Sequence, residues 1–320
     1  MNGIASLIIG IAILLVVMYD FFFTTLSGSG AGFISKIIAR LSHKVIQVLV
    51  KLFGRQVYSY SGLFVNLKVL AGWILLVWTG LFLVYSSHPD AIVNNEGMVA
   101  NLWERLYFTG YVLSTLGMGN FYPTSGFFEI LTGVFSFFGF IFFTSSITYF
   151  LSVSSALVKK RILAKTINNL GNSPAEITAS FKSLDKSYTL QQLQALQEMV
   201  DEHAVNHQAY PVIHYYSHPE PVVCLSINLT RLDEALSHLL RKDEMVEFRK
   251  ELNPLRNSLT NLLDHIYDNF SKEIPSTETF KSGKSPGAGL PGVEDKNLEY
   301  RRRVLDSLLR SEGFNWKDVD

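Results

Sequence analysis

Glycines at alternate positions, Gly117 and Gly119, interrupt an otherwise apolar stretch, Leu113–Ser125 (LSTLGMGNFYPTS). The reactive element that such a spacing offers is the backbone. A chain that strips water from a cation must turn successive carbonyl oxygens toward one axis, which alternates backbone handedness. Only glycine does this at little steric cost. Leu116 and Met118 are then expected to point away from the axis and pack behind it, while Thr115 adds its hydroxyl and carbonyl at the inner end. A glycine pair alone occurs in many turns. Here a short apolar run, Leu102–Ser114, leads in, Pro123 follows, and a long apolar run, Phe127–Val158, leaves.

A second group is His203, His207, His214 and His218, within DEHAVNHQAYPVIHYYSH. Each pair is four residues apart, the spacing of one helix face, although Pro211 and Pro219 interrupt the region. Zinc ligation or proton sensing is one reading; structural or surface histidines are the other.

The elements that must position the glycine stretch follow from hydropathy. Apolar residues make up 48% of the 320-residue chain, and the formal net charge is zero, so nothing argues for nucleic acid as a partner. A single cysteine, Cys224, excludes an intrachain disulfide framework and fits a reducing compartment. Long charge-poor runs fill residues 1–158, whereas 159–320 read as polar and helical. Membrane spans are predicted at Ile4–Leu26, Leu63–Tyr85 and Phe127–Val158. Asp20, near the end of the first, is read as interfacial or as paired with another helix. Ser27–Gly32 reads as a flexible break.

Phe33–Phe53 carries apolar residues at helical spacing with Lys36, Arg40, Lys44 and Lys51 largely opposite, a basic amphipathic helix lying on a membrane surface. From its residues alone it reads as a membrane anchor. Ser27–Gly62 carries Lys36, Arg40, Lys44, Lys51 and Arg55 and no acid, while Ser86–Asn101 holds Asp90 and Glu96 and no Lys or Arg, which places the N-terminus outside and residues 159–320 in the cytoplasm of an inner (plasma) membrane protein. Leu102–Ser114, too short to span, fits a half-helix dipping in from outside, with Glu104 and Arg105 at its interfacial start. The domains expected are 1–62, 63–158, 159–271 and a disordered linker with a short terminal helix over 272–320.

Thr115-Leu116-Gly117-Met118-Gly119-Asn120 resembles the TVGYGD filter signature of the potassium-channel superfamily, and Leu63–Val158 resembles its two-transmembrane pore domain. The resemblance implies an all-α membrane protein, a tetrameric pore-loop channel of outer helix, pore helix, filter and inner helix. Here an extra N-terminal helix, the amphipathic helix and a helical cytosolic domain would be added. It implies a homotetramer among membrane lipids, potassium ions in a filter of Thr115, Leu116, Gly117, Met118 and Gly119, and no other cofactor. Tyr111, Ser114 and Asn120 would support the filter, Tyr111 standing where some of these channels place a buried glutamate. Gly139 falls near the inner-helix hinge, and permits bending or close packing. Leu116, Met118 and Asn120 depart from the signature, and methionine is a poorer spring than tyrosine.

Two functions of different class follow. One is a cation channel, potassium-preferring or weakly selective between sodium and potassium, gated by its inner helix and by a cytosolic domain whose ligand cannot be read. The other is a non-conducting scaffold or sensor with a degenerate pore. An enzyme is not expected, since the membrane half offers no nucleophile–base pair. No span carries arginines at every third position, which disfavours voltage as the stimulus.

Overall fold

The structure is a computed structural model that describes residues 3–241, 248–271 and 295–320. Its chain divides into two units. The first is built from Met1–Val48, Gly62–Ser154 and Ala209–Tyr215, the second from Leu49–Ser61, Ser155–Gln208 and Tyr216–Asp320.

In the first unit, helices α1 (Gly3–Leu26), α3 (Ser61–Tyr85) and α5 (Gly126–Asn168) are long and apolar enough to cross a membrane. Small residues let α1 approach α3. A Cβ added to Gly10 would lie 2.8 Å from the Gly80 carbonyl oxygen, and Ser6 Oγ donates to the Leu83 carbonyl at 2.8 Å. Phe21 of α1 also meets Trp73 of α3 edge-on, with ring centroids 5.2 Å apart, and Phe142 of α5 at 4.4 Å.

Asp20 corrects the interfacial reading. It is 2% exposed and accepts from the Ile34 N–H at 2.8 Å, the Ser35 N–H at 3.2 Å, Ser35 Oγ at 2.5 Å and Trp73 Nε1 at 2.9 Å. A carboxylate at the start of α2 (Phe33–Phe53) satisfies donors that the helix itself cannot. The turn before α2 is therefore tied down rather than loose: Gly32 N–H donates to Thr24 Oγ1 at 2.9 Å, and a Cβ on Gly32 would sit 2.1 Å from Asp20 Oδ1. α2 buries Ser35, Ala39, Ser42 and Ile46, while Leu41, Val45, Val48 and Leu52 face outward. Its apolar stripe is turned toward the surroundings, the arrangement that an apolar solvent favours.

Helix α4 (Leu102–Leu113) lies between α3 and α5 in the chain. Strands β1 (Ile92–Asn94) and β2 (Phe121–Pro123) flank it and pair antiparallel, Val93 opposite Tyr122. This ribbon is absent from the sequence reading, because three-residue strands carry no usable periodicity.

The second unit holds the polar end of α5, then α6 (Pro174–Ser183), α7 (Lys186–Ala209), α8 (Leu225–Arg241), α9 (Arg249–Ile266) and α10 (Asp295–Ser311). α6 starts as its sequence predicts: Ser173 Oγ accepts from the Glu176 N–H at 3.2 Å, with Pro174 in the first turn. The core packs Leu163, Ile177, Leu196, Leu232, Leu259 and Leu305, one from each helix. Through it runs a buried charge cluster. Asp233 accepts from Arg256 Nη1 at 2.9 Å and from the Arg301 guanidinium, and Glu234 pairs with Arg302 at 2.6 Å. Of the linker and short terminal helix expected over 272–320, residues 272–294 fall outside the described residues, and the helix is α10.

Candidate functional site

The glycine stretch is placed by the helix before it, and that helix is fastened at both ends. At its start Asn101 Oδ1 accepts from the N–H groups of Trp103 and Glu104 at 3.0 and 3.1 Å, and Glu104 accepts from the Asn101 N–H at 2.7 Å. This reciprocal cap explains Glu104. Arg105, expected at an interface, is instead 8% exposed. Its Nε donates to the Ala100 carbonyl at 2.9 Å, its Nη1 to those of Tyr85 at 2.6 Å and His88 at 2.9 Å, and its Nη2 to that of Pro89. A rigid fork of donors suits a cluster of loop carbonyls that no helix satisfies. Midway, Trp78 Nε1 donates to the Leu106 carbonyl at 3.0 Å and contacts Thr109 Oγ1 at 3.1 Å, and its ring lies where a Cβ on Gly110 would come within 2.9 Å.

At the other end α4 closes with paired bonds: Thr115 N–H to the Val112 carbonyl at 3.2 Å and Leu116 N–H to the Tyr111 carbonyl at 3.0 Å. This closure places a left-handed residue after the helix, usually glycine. Here it is Thr115, with φ 58°, a strained conformation for a β-branched residue. Gly117 and Gly119 follow with φ 59° and 72°, while Leu116 and Met118 between them keep negative φ. Backbone handedness thus alternates over Thr115–Gly119, one position more than the glycines alone implied.

Tyr111 O–H donates to the Phe121 carbonyl at 2.7 Å, joining the residues before and after this stretch. Ser114 Oγ donates to the Tyr111 carbonyl at 3.2 Å, and Asn120 is exposed. Leu116 and Met118 are 60% and 53% exposed, so within a single chain they do not pack behind anything. Gly139 of α5 faces the end of α4: a Cβ there would lie 2.0 Å from the Leu113 carbonyl oxygen. Only glycine allows so close an approach of the two helices there.

Residues 71–155 match a family model described as Ion channel. The match is to that segment, about a quarter of the chain. Over nearly its whole length the chain is also similar to the uncharacterized membrane protein YdjJ of Bacillus subtilis (strain 168). The two are 27% identical over 332 residues, covering 97% of this chain and 94% of that relative. No solved structure matches the chain. Three helices long and apolar enough to cross a membrane, with likeness over nearly the whole chain to a membrane protein, mark this as a membrane protein.

The histidines take other places. His203 and His207 are buried on α7 with rings 5.7 Å apart, and His207 meets His265 of α9 at 5.3 Å, a neighbour that sequence spacing could not indicate. Burial, reinforced by the charge of Lys160, pulls His203 down to about 3, so it is a neutral core residue at physiological pH. His214 lies in the turn Pro211–Tyr215, and His218 Nδ1 accepts from the Glu220 N–H at 3.1 Å. Among the described residues no group of three or more His, Cys, Asp or Glu is placed to hold a metal ion.

Sequence reasoning named Asp20 and Arg105 without finding their partners, and it gave Trp78 no role. A signal for the two charged ones existed: an ionisable side chain inside an apolar run must find partners.

Proposed function

We propose that four copies of this chain form a potassium-conducting channel in the plasma (inner) membrane. Each contributes the carbonyls of Thr115, Leu116, Gly117 and Met118, with Gly119 completing the turn, to a ring that replaces the hydration shell of the ion. The alternating backbone handedness from Thr115 to Gly119, inside a segment of ion-channel type, carries this reading. Exposure of Leu116 and Met118 supports assembly, since neighbouring copies around a symmetry axis would cover both side chains. The N-terminus lies outside and the second unit in the cytoplasm, because basic residues crowd Ser27–Gly62 while Ser86–Asn101 holds only acidic ones. The inner helix α5 and the cytosolic helices gate the pore, and lipids surround it.

The deciding experiment measures potassium flux into liposomes holding the purified chain, with Gly117→Ala and Gly119→Ala beside it. Alanine strains both left-handed positions, so flux is expected to fall at least about tenfold for ~1–2 kcal/mol of strain per subunit. Variants that assemble and conduct like the parent would overturn the assignment of the ion path to this stretch, and an assembled parent that carries no flux would overturn the channel in favour of a scaffold.

A weakly selective channel is the second reading, favoured by Met118 and the exposed Asn120, which leave Tyr111 as the brace seen within one chain. Tyr111→Phe removes a bond worth about 1 kcal/mol and leaves the ring packing intact. The expected result is an unchanged fold with the reversal potential between potassium and sodium solutions displaced toward zero. No displacement would show that neighbouring copies hold the filter without this brace.

A further inference from the structure

The last residues of α10 run into a turn that touches two distant parts of the second unit. Leu309 closes it, accepting from the Phe314 N–H at 2.9 Å, and Gly313 takes φ 78°. Three consecutive residues then reach outward. Glu312, 2% exposed, pairs with Lys160 Nζ at 3.4 Å and accepts from Cys224 Sγ at 3.0 Å. Lys160 belongs to α5, just past its apolar run, and also donates to the Tyr216 carbonyl at 2.7 Å. Gly313 lies against the buried ring of Tyr58, where a Cβ would come within 2.6 Å. Phe314 is 3% exposed, and the Arg55 guanidinium stacks over its ring 3.6 Å from the centroid. Arg55 and Tyr58 lie in the helical turn Arg55–Tyr60 that leads from α2 into α3.

We propose that the Glu312–Phe314 turn is a strap that couples the polar end of the inner helix to the base of the outer helix, and that gating works through its grip. This rests on the channel reading above. Two features fit an element poised for release rather than a static joint. Arg55 Nε and Nη2 are buried without a hydrogen-bond partner among the described residues, so engagement sacrifices hydrogen bonds to water. The ring contact offsets that loss only in part. The other end, by contrast, is firmly seated, with Arg231 Nε donating to the Val319 carbonyl at 2.9 Å.

The test uses the full chain in planar bilayers with Arg55→Gln, Phe314→Leu and the double variant; leucine keeps the buried apolar contact and loses the ring. Each single variant is expected to shift open probability about fivefold, both in the same direction, with the double variant no further shifted than either. Reversal potential stays that of the parent. Independent, multiplying effects, or unchanged open probability in intact tetramers, would overturn the strap. If the parent itself carries no current, the channel reading fails separately. Amide exchange over Arg55–Tyr60 then decides the strap alone: faster exchange in both variants supports it, and unchanged exchange overturns it.

Discussion

Replacing Gly139 by alanine is expected to lower potassium flux at least about tenfold, the consequence of ~1–3 kcal/mol of overpacking applied directly to the filter support. The added Cβ would lie 2.0 Å from the Leu113 carbonyl oxygen, far inside any real contact. That oxygen belongs to backbone, so no flexible side chain can yield; α4 and α5 must separate. Leu113 is the last residue of α4, and the bonds that set Thr115 and Leu116 start at Val112 and Tyr111. Displacement there moves Thr115–Gly119, the proposed filter, directly. Gly133→Ala is the matched control, since a Cβ at that position of the same helix meets nothing of its own chain within 4 Å. The outcome also separates the two roles that the sequence left open for Gly139. A hinge variant would change open probability at constant selectivity, whereas a packing variant would change the reversal potential as well. Equal flux and selectivity in the two alanine variants would refute the packing role.

Hydropathy made the three spans legible, two of them to within two residues at either end and the third at its start, its helix running on to Asn168, because the bilayer demands long apolar helices whatever they pack against. The left-handed positions at Gly117 and Gly119 were legible for a related reason: backbone geometry restricts residue type, and the two glycines display the restriction openly. Thr115 hides it. Its left-handed conformation comes from the closure of α4, and threonine carries no compositional sign of the strain. Polar partners were the least legible part. Asp20 gathers donors 14 and 53 residues away, and Arg105 reaches carbonyls 16 to 20 residues back. No local pattern encodes such pairings. Amphipathicity had to be read for a membrane surface: the apolar stripe of α2 faces away from the protein, which packs on Ser35, Ala39, Ser42 and Ile46. In water that stripe would mark the core; beside lipid it marks the outside.

Asp233→Ala is expected to cost the second unit about 3–5 kcal/mol, the penalty for stranding buried charge when one partner is removed. Asp233 is fully buried and faces two guanidiniums, Arg256 and Arg301, the latter only 1% exposed. Alanine leaves both positive charges with each other for company, and Thr260 and Ser237 supply only neutral partners. Chemical denaturation of the purified chain, followed by helical circular dichroism, measures the loss. A variant within about 1 kcal/mol of the parent would mean that water or a rearranged Glu234 compensates the arginines. The same substitution bears on the strap. Arg301 and Arg302 fasten α10 to α8, and α10 ends in the Glu312–Phe314 turn. Releasing α10 therefore releases the strap, so Asp233→Ala should shift open probability in the direction taken by Phe314→Leu. The two differ in stability: leucine at 314 leaves the charge cluster intact, and its denaturation midpoint should stay close to that of the parent. A common gating shift from such unequal losses of stability would place the coupling in the turn itself rather than in the general firmness of the helical unit.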